Sequence, residues 1–391
     1  MKDIVTIGMV GGGRATELHM EGYSHVRGIS LRYKSIMTAR SETAKRAQER
    51  YGYEQTVDSI DEMCSDPEID VIDICAPPYI HDEYVIKALE AGKYVICEKP
   101  LSGFFGREKD IAPIGKTVSK AEMYKEVITK LDKISEVVKQ HPGKFMYAEN
   151  FIYAPAIQKA AEIIRKKKSR ILCMKGEESL KGSSSPVAGE WSKTGGGTFT
   201  RTGSHPLSAI LWLKTIEAET WNKEIYVSEV LADMAAITPQ LNAYDHRHIA
   251  IQLNDVEDFG TTILTFSDGT KAIVIATDTL LGGSRNYVEV YCNDAVINCK
   301  LTMFDAMSTY FLDEDRLEDV YISEMLPAKT GWNNPFVADE IMRGYMNQMQ
   351  DFMECIAYKR EPVSNYRLAY DTAKITYAAY MAAEAGKKIQ L

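Results

Sequence analysis

A series of short apolar runs in the first 150 residues, each followed by a turn signal and a segment of helical spacing, sets the tightest limit on how this chain can fold. The runs are Ile4–Val10 and residues 29–37, 70–75, 94–97 and 144–148. Such runs suit strands buried on both faces, because a strand with one face in water alternates apolar and polar residues instead. Strands and helices in this order predict a doubly wound parallel sheet with right-handed crossovers.

The first run leads into Gly11-Gly12-Gly13-Arg14-Ala15-Thr16 and a helix-compatible segment. A strand, a glycine turn and a helix are what cradling a dinucleotide pyrophosphate requires. Gly11 permits the tight turn, Gly13 lets backbone approach the phosphates, and the helix opening at Arg14 and Ala15 offers N–H donors. Thr16 stands where glycine or alanine normally allows close helix–strand packing. The second strand ends at Met37-Thr38-Ala39-Arg40-Ser41 without an acid to hold ribose hydroxyls. Arg40 either faces a 2′-phosphate or opens the next helix on its solvent side, so NAD and NADP both stay open.

The run at residues 94–97 stops at Glu98-Lys99-Pro100, which delivers a lysine at the C-terminal end of a strand. Ligands of open α/β sheets bind at that edge, and proline restricts the backbone that aims the side chain. Lys99 is therefore the first candidate for chemistry, against the plainer reading of a solvated charged pair.

At 391 residues the chain exceeds one ordinary core, so two domains are expected. The net charge of -9 disfavours nucleic acid as a partner, since phosphate neutralisation needs a basic face. The basic run at residues 165–170 closes a helix and complements its dipole. No apolar run approaches the ~20 residues of a membrane span. The start, MKDIVTIGMVGGG, lacks a basic leader and a cleavage site, which favours a cytoplasmic protein. The seven cysteines are scattered without a CxxC pair and read as small buried hydrophobes of a reducing compartment.

Residues 8–16, then Ala76-Pro77-Pro78-Tyr79-Ile80-His81, then residues 92–100 resemble the three signature regions of the Gfo/Idh/MocA oxidoreductases (glucose-fructose oxidoreductase, inositol dehydrogenase, rhizopine catabolism). The resemblance runs nearly end to end. It implies a dinucleotide-binding Rossmann domain over residues 1–149 and an α+β domain with a large, mostly antiparallel open sheet over 150–365. A C-terminal helix, 366–391, would return toward the first domain. The cofactor residues implied are Gly11, Gly13, Arg14, Ala15, Thr38, Arg40, Ala76, Pro77, His81, Glu98 and Lys99. In that family the lysine lies between nicotinamide and substrate, and its bond to proline is often cis. The resemblance also puts Asn150 and Tyr153 near substrate, with Glu178, at the end of the next strand-like run, as a further substrate candidate. Residues 101–121 depart from the family's course and read as a surface insertion, with a lid as the alternative.

Gly195-Gly196-Gly197-Thr198-Phe199-Thr200-Arg201-Thr202-Gly203-Ser204-His205 matches the family's GGGxxxDxGxH except that Arg201 stands at the aspartate. A histidine near neutral pKa can take a hydroxyl proton as hydride leaves the same carbon, whereas an arginine cannot. The resemblance therefore pairs Lys99 with His205, and Arg201 hints at an anionic or oxygen-rich substrate.

From residue 225 onward strand-like segments dominate, with hairpin signals at Ser267-Asp268-Gly269 and Asn293-Asp294. One face of the resulting sheet would be covered by helices and the other by a second subunit, so a homo-oligomer is expected. Asp245-His246-Arg247-His248 has no further ligand type nearby and is not read as a metal site. Met342, Tyr345, Met349, Phe352 and Ile356 form a helical core stripe, and residues 368–382 a second. The function expected is NAD(P)-dependent hydride transfer at a secondary alcohol of a sugar, cyclitol or glycoside. The alternatives are a redox-neutral glycosidase using the same parts, and a non-catalytic sugar or dinucleotide sensor.

Overall fold

The computed structural model describes residues 2–302, 307–322, 328–335 and 338–391. It divides into two compact units. The first comprises Met1–Phe104, Lys125–Tyr153 and Gly344–Lys374, and the second Phe105–Tyr124, Ala154–Arg343 and Ile375–Leu391.

In the first unit β1 (Ile4–Val10), β2 (Ser30–Met37), β3 (Gln55–Thr56), β4 (Val71–Ile74), β5 (Tyr94–Glu98) and β6 (Phe145–Ala148) form one sheet. Its order is β3-β2-β1-β4-β5-β6, and every pairing is parallel. The connecting helices are α1 (Arg14–Ser24), α2 (Ser41–Tyr51), α3 (Ile60–Ser65) and α4 (His81–Glu90). Strand order reverses between β1 and β4, which opens a crevice at their C-terminal ends. β3 is two residues long and polar, too short to leave a periodic signal in the sequence. Of the stripe predicted near the C-terminus, Met342 ends a separate short helix, Asp339–Met342, while Tyr345, Met349, Phe352 and Ile356 lie on the helix Tyr345–Tyr358, which packs on α1. Gly22 makes that approach possible, because a Cβ there would lie 2.7 Å from Met349 Cγ. Tyr366, opening the helix Tyr366–Ala385, packs edge-on against Phe145 at 5.5 Å between ring centroids.

The second unit is built on β7 (Ile171–Ser179), β8 (Val227–Ala235), β9 (Phe259–Phe266), β10 (Lys271–Thr277), β11 (Arg285–Cys292) and β12 (Val296–Lys300). A separate two-stranded sheet joins β13 (Thr309–Phe311) and β14 (Gly331–Asn333), and β15 (Ile389–Gln390) completes the large one. The large sheet runs β12-β11-β7-β10-β9-β8-β15 and is antiparallel except where β10 lies parallel to β7. Both hairpins read from the sequence are present, β9–β10 and β11–β12. The helices Pro155–Lys167 and Ser204–Thr220 pack together, and the latter packs on β7. Gly176 of β7 admits Pro206, since a Cβ there would stand 2.8 Å from Pro206 Cβ.

Residues 243–246 form a short helix, Ala243–His246, capped by the Asn242 side chain. Of the segment read as a surface insertion, Phe105 onward groups with the second unit, with Glu108, Lys109, Ile111 and Ala112 exposed. The Gly115 N–H donates to Asp255 Oδ2 at 2.8 Å, and a Cβ on Gly115 would meet the Asp255 carbonyl. Among the described residues, no helix is long and apolar enough to cross a membrane.

Candidate active site

The β1–α1 turn forms one wall of a cleft of about 600 Å³ in the first unit. Gly11, Gly12 and Gly13 meet Thr38, Arg40, Asp58, Ala76 and Pro77 there. Gly11 has φ +123°, and a Cβ on it would lie 2.3 Å from the Cys75 carbonyl oxygen, so conformation and space both demand glycine. A Cβ on Gly13 would meet nothing within 4 Å. That opening fits a pyrophosphate, because α1 begins beside it with no side-chain cap on its N–H groups. Arg14 and Ala15 open that helix. Thr16 is fully buried, with no hydrogen-bond partner for its hydroxyl. Arg40 is exposed on the rim, and Asp58, which sequence reading passed over because it follows the two-residue β3, shares the same cleft.

β5 ends at Glu98, and the Lys99–Pro100 peptide is cis. The Lys99 N–H donates to Glu98 Oε2 at 2.9 Å. His81 does not line the cleft. Its ring is fully buried, with Nδ1 2.9 Å from the Pro100 carbonyl and Nε2 2.9 Å from the Ala76 carbonyl. Its two nitrogens thus face the carbonyls that follow β4 and β5; burial lowers its pKa, so the neutral ring donates to one of the two at a time.

In the second unit the glycine loop at residues 195–197 is held by aromatic rings and one acid. The Tyr377 hydroxyl donates to the Gly195 carbonyl at 2.6 Å. Glu257, fully buried, accepts from the N–H groups of Gly197 and Phe199, both at 2.9 Å, and from the Tyr380 hydroxyl at 2.8 Å. Burial pushes its pKa up to about 7 despite these donors. The chain then makes a π-helical turn, Phe199–Gly203, before the helix Ser204–Thr220. His205, second in that helix, is buried. Arg201 is ion-paired with Asp278, whose carboxylate has no exposure. The guanidinium that suggested an anionic substrate thus has a partner inside the protein.

Tyr153 is also corrected. Its hydroxyl donates to Asp351 Oδ2 at 2.6 Å and accepts from the Ser364 N–H at 3.0 Å, inside the first unit's core. The ring is also edge-on to Phe352, so both hydrogen-bonding roles of the hydroxyl and one ring edge are taken within the first unit. Asn150, buried, lies in the 3₁₀ turn Asn150–Tyr153 of the same unit. Glu178, buried in the second unit, accepts from Asn286 Nδ2 at 3.4 Å, and Asn286 lines a second cavity of about 340 Å³ with Arg285, Tyr287 and Lys300. Sequence reading also missed a buried polar cluster behind Glu98, formed by His19, Tyr23 and Asp73. The available signals were an acid inside the apolar run VIDI and a His and Tyr four apart on α1.

Comparison with known proteins agrees with this architecture. Residues 5–121 match the model of the oxidoreductase family with an NAD-binding Rossmann fold, and residues 175–298 the GFO/IDH/MocA C-terminal domain. Levoglucosan dehydrogenase of Pseudarthrobacter phenanthrenivorans is 35% identical over 105 residues, 25% of this chain and 27% of that enzyme. The oxidoreductase YrbE of Bacillus subtilis is 24% identical over 342 residues, 83% of this chain and 85% of that protein. The crystal structure of GenD2 from gentamicin A biosynthesis, in complex with NAD, superposes with a TM-score of 0.77 at 19% identity, covering 100% of this chain and 97% of GenD2. The chain thus spans about a quarter of the length of levoglucosan dehydrogenase and most of YrbE. Both domain models fit in chain order and together take in more than half of the residues, and the protein belongs to the Gfo/Idh/MocA oxidoreductases, with an NAD-binding Rossmann domain at its N-terminus.

Proposed function

We propose that this protein is an NAD-dependent dehydrogenase of a secondary alcohol in a sugar or cyclitol. The observation that carries the reading is Lys99. It sits at the C-terminal edge of the same parallel sheet whose β1–α1 turn leaves a phosphate-sized opening at Gly13. Bound nicotinamide would accept hydride at C4, the chemistry this chain's own side chains lack. The Lys99 ammonium donates a hydrogen bond to the substrate oxygen, and the His205 imidazole takes the hydroxyl proton as the carbonyl forms.

NAD is proposed over NADP because Asp58 lines the cleft with Arg40, and a carboxylate there opposes a 2′-phosphate. The likeness to a levoglucosan dehydrogenase supports a sugar-like substrate. We propose further that the protein self-associates through the large sheet of the second unit. Leu231, Ile263 and Ile273 pair in register across β8, β9 and β10, and Leu231 and Ile263 are exposed.

The test is purified protein with NAD⁺ and a panel of pyranoses, levoglucosan and myo-inositol. Reduced nicotinamide should accumulate with one class of the panel. Glycoside cleavage without net change in nicotinamide absorbance would replace the dehydrogenase by a redox-neutral glycosidase. Cofactor binding with no turnover on any of them would replace it by a sensor.

A further inference from the structure

His19 and Tyr23 lie one turn apart on α1, so both reach the same point on the sheet beneath. That point is Asp73, in the middle of β4 and without exposure. The Tyr23 hydroxyl donates to Asp73 Oδ2 at 2.7 Å, and His19 Nδ1 lies 2.9 Å from the same oxygen. Two residues along β4, on the same face, Cys75 Sγ approaches His19 Nδ1 at 3.2 Å. On the far side of the ring, His19 Nε2 lies 3.1 Å from Glu98 Oε1 at the end of β5. The other Glu98 oxygen accepts the Lys99 N–H at 2.9 Å. A continuous chain of contacts therefore runs from Tyr23 through Asp73, His19 and Glu98 to the backbone of Lys99.

Proton counting decides the state of this chain. A carboxylate only accepts hydrogen bonds, and a neutral imidazole has a single N–H to give. With an ionised carboxylate at each ring nitrogen, both contacts are hydrogen bonds only when both nitrogens carry protons; a neutral ring makes both only if the proton sits on Glu98 instead. The other titratable groups at the cluster leave the balance there. Burial pushes the Cys75 thiol and the Tyr23 and Tyr53 hydroxyls upward, so all three stay neutral. Burial works against a charged His19 ring, while the Asp73 carboxylate favours it, and the pKa stands well above the usual value.

We propose that His19 is a positioning residue for Lys99: doubly protonated between the Asp73 and Glu98 carboxylates, it neutralises and fixes Glu98, which in turn holds the Lys99 backbone. The second half of this statement rests on reading Lys99 as the group that meets the alcohol. The first half does not. Removing the cation takes the His19 charge away from the buried Asp73 carboxylate and from Glu98, and Glu98 loses the contact that orients it beside Lys99.

The test has two arms on the full-length protein. Histidine ring nitrogens are observed by NMR in isotope-labelled protein, with His19 assigned by its absence in His19→Gln or, if that variant fails to fold, by its shift in Asp73→Asn. Both His19 nitrogens should remain protonated at pH 7, above the ordinary histidine pKa. A ring with one bare nitrogen at pH 7, or one metal ion per chain at the His19, Asp73 and Cys75 donors, overturns the proposal. In the kinetic arm, His19→Gln should lower kcat by roughly 100-fold, the scale of an ångström-sized misplacement, with NADH affinity nearly unchanged. Adding Glu98→Gln should restore part of the loss, because it removes a charge that His19 no longer offsets. Wild-type turnover in His19→Gln, or no recovery in the double variant, overturns the positioning role. A wild-type protein that turns over nothing refutes the dehydrogenase reading alone, and the NMR arm still decides the protonation state.

Discussion

Arg201 forms an ion pair with Asp278, and the Asp278 carboxylate has no solvent exposure. Breaking such a pair costs more than never having built it, because one charge is left buried and unmatched. Arg201→Ala should therefore destabilise the second unit by about 3–5 kcal/mol, and Asp278→Asn in the same chain should recover part of that. Urea unfolding of the two single variants and the double variant measures the coupling. Unchanged stability with a raised substrate KM in Arg201→Ala would return Arg201 to the substrate.

Gly11 and Gly13 separate folding from cofactor binding. Gly11→Ala places a Cβ against the Cys75 carbonyl at a backbone conformation unsuited to alanine, so it should lower the melting temperature as well as NADH affinity. Gly13→Ala meets no protein atom and should leave the melting temperature of the cofactor-free protein unchanged, while weakening NADH by about tenfold or more if the pyrophosphate lies there. Calorimetry with and without NADH distinguishes the two.

Lys99→Ala should abolish turnover and leave NADH affinity within about threefold, as expected of a group acting mainly in the transition state. A fully active Lys99→Ala removes the mechanism.

Tyr153→Phe deletes a hydroxyl shared between Asp351 and the Ser364 N–H. The expected loss is about 1–3 kcal/mol of stability in the first unit, with substrate KM unchanged. A KM effect without a stability effect would put Tyr153 back at the substrate.

Glu257 makes the second unit pH-sensitive. Its pKa stands at about 7 in the folded protein, against the ordinary 4.5 of a solvated glutamate. Folding therefore favours the protonated acid. That contribution is fully present below pH 4.5, declines as pH rises, and is gone above about 7, an amplitude of ~3 kcal/mol. Melting temperatures across that window should fall in the wild type. In Glu257→Gln the slope should flatten, although that variant starts lower because an amide nitrogen cannot accept from Gly197 or Phe199.

Sequence and structure divide the account along a physical line. Local pattern determined the alternation of buried strands and helices, the glycine turn after β1, both hairpins, and a lysine at the end of β5, because each arises from periodicity or from a residue's own backbone preference. Partner choice across distant segments was decided only in the tertiary structure. Nothing in the spacing of Arg201 announces Asp278, and nothing in Tyr153 announces Asp351. His19, Asp73 and Glu98 come from α1, β4 and β5 and meet only because those strands lie side by side, with α1 packed over them. A buried charge or hydroxyl must find a partner somewhere, so the sequence states the need. The fold supplies the neighbour, since contacts between residues far apart in the chain are set by which elements stack and at what register.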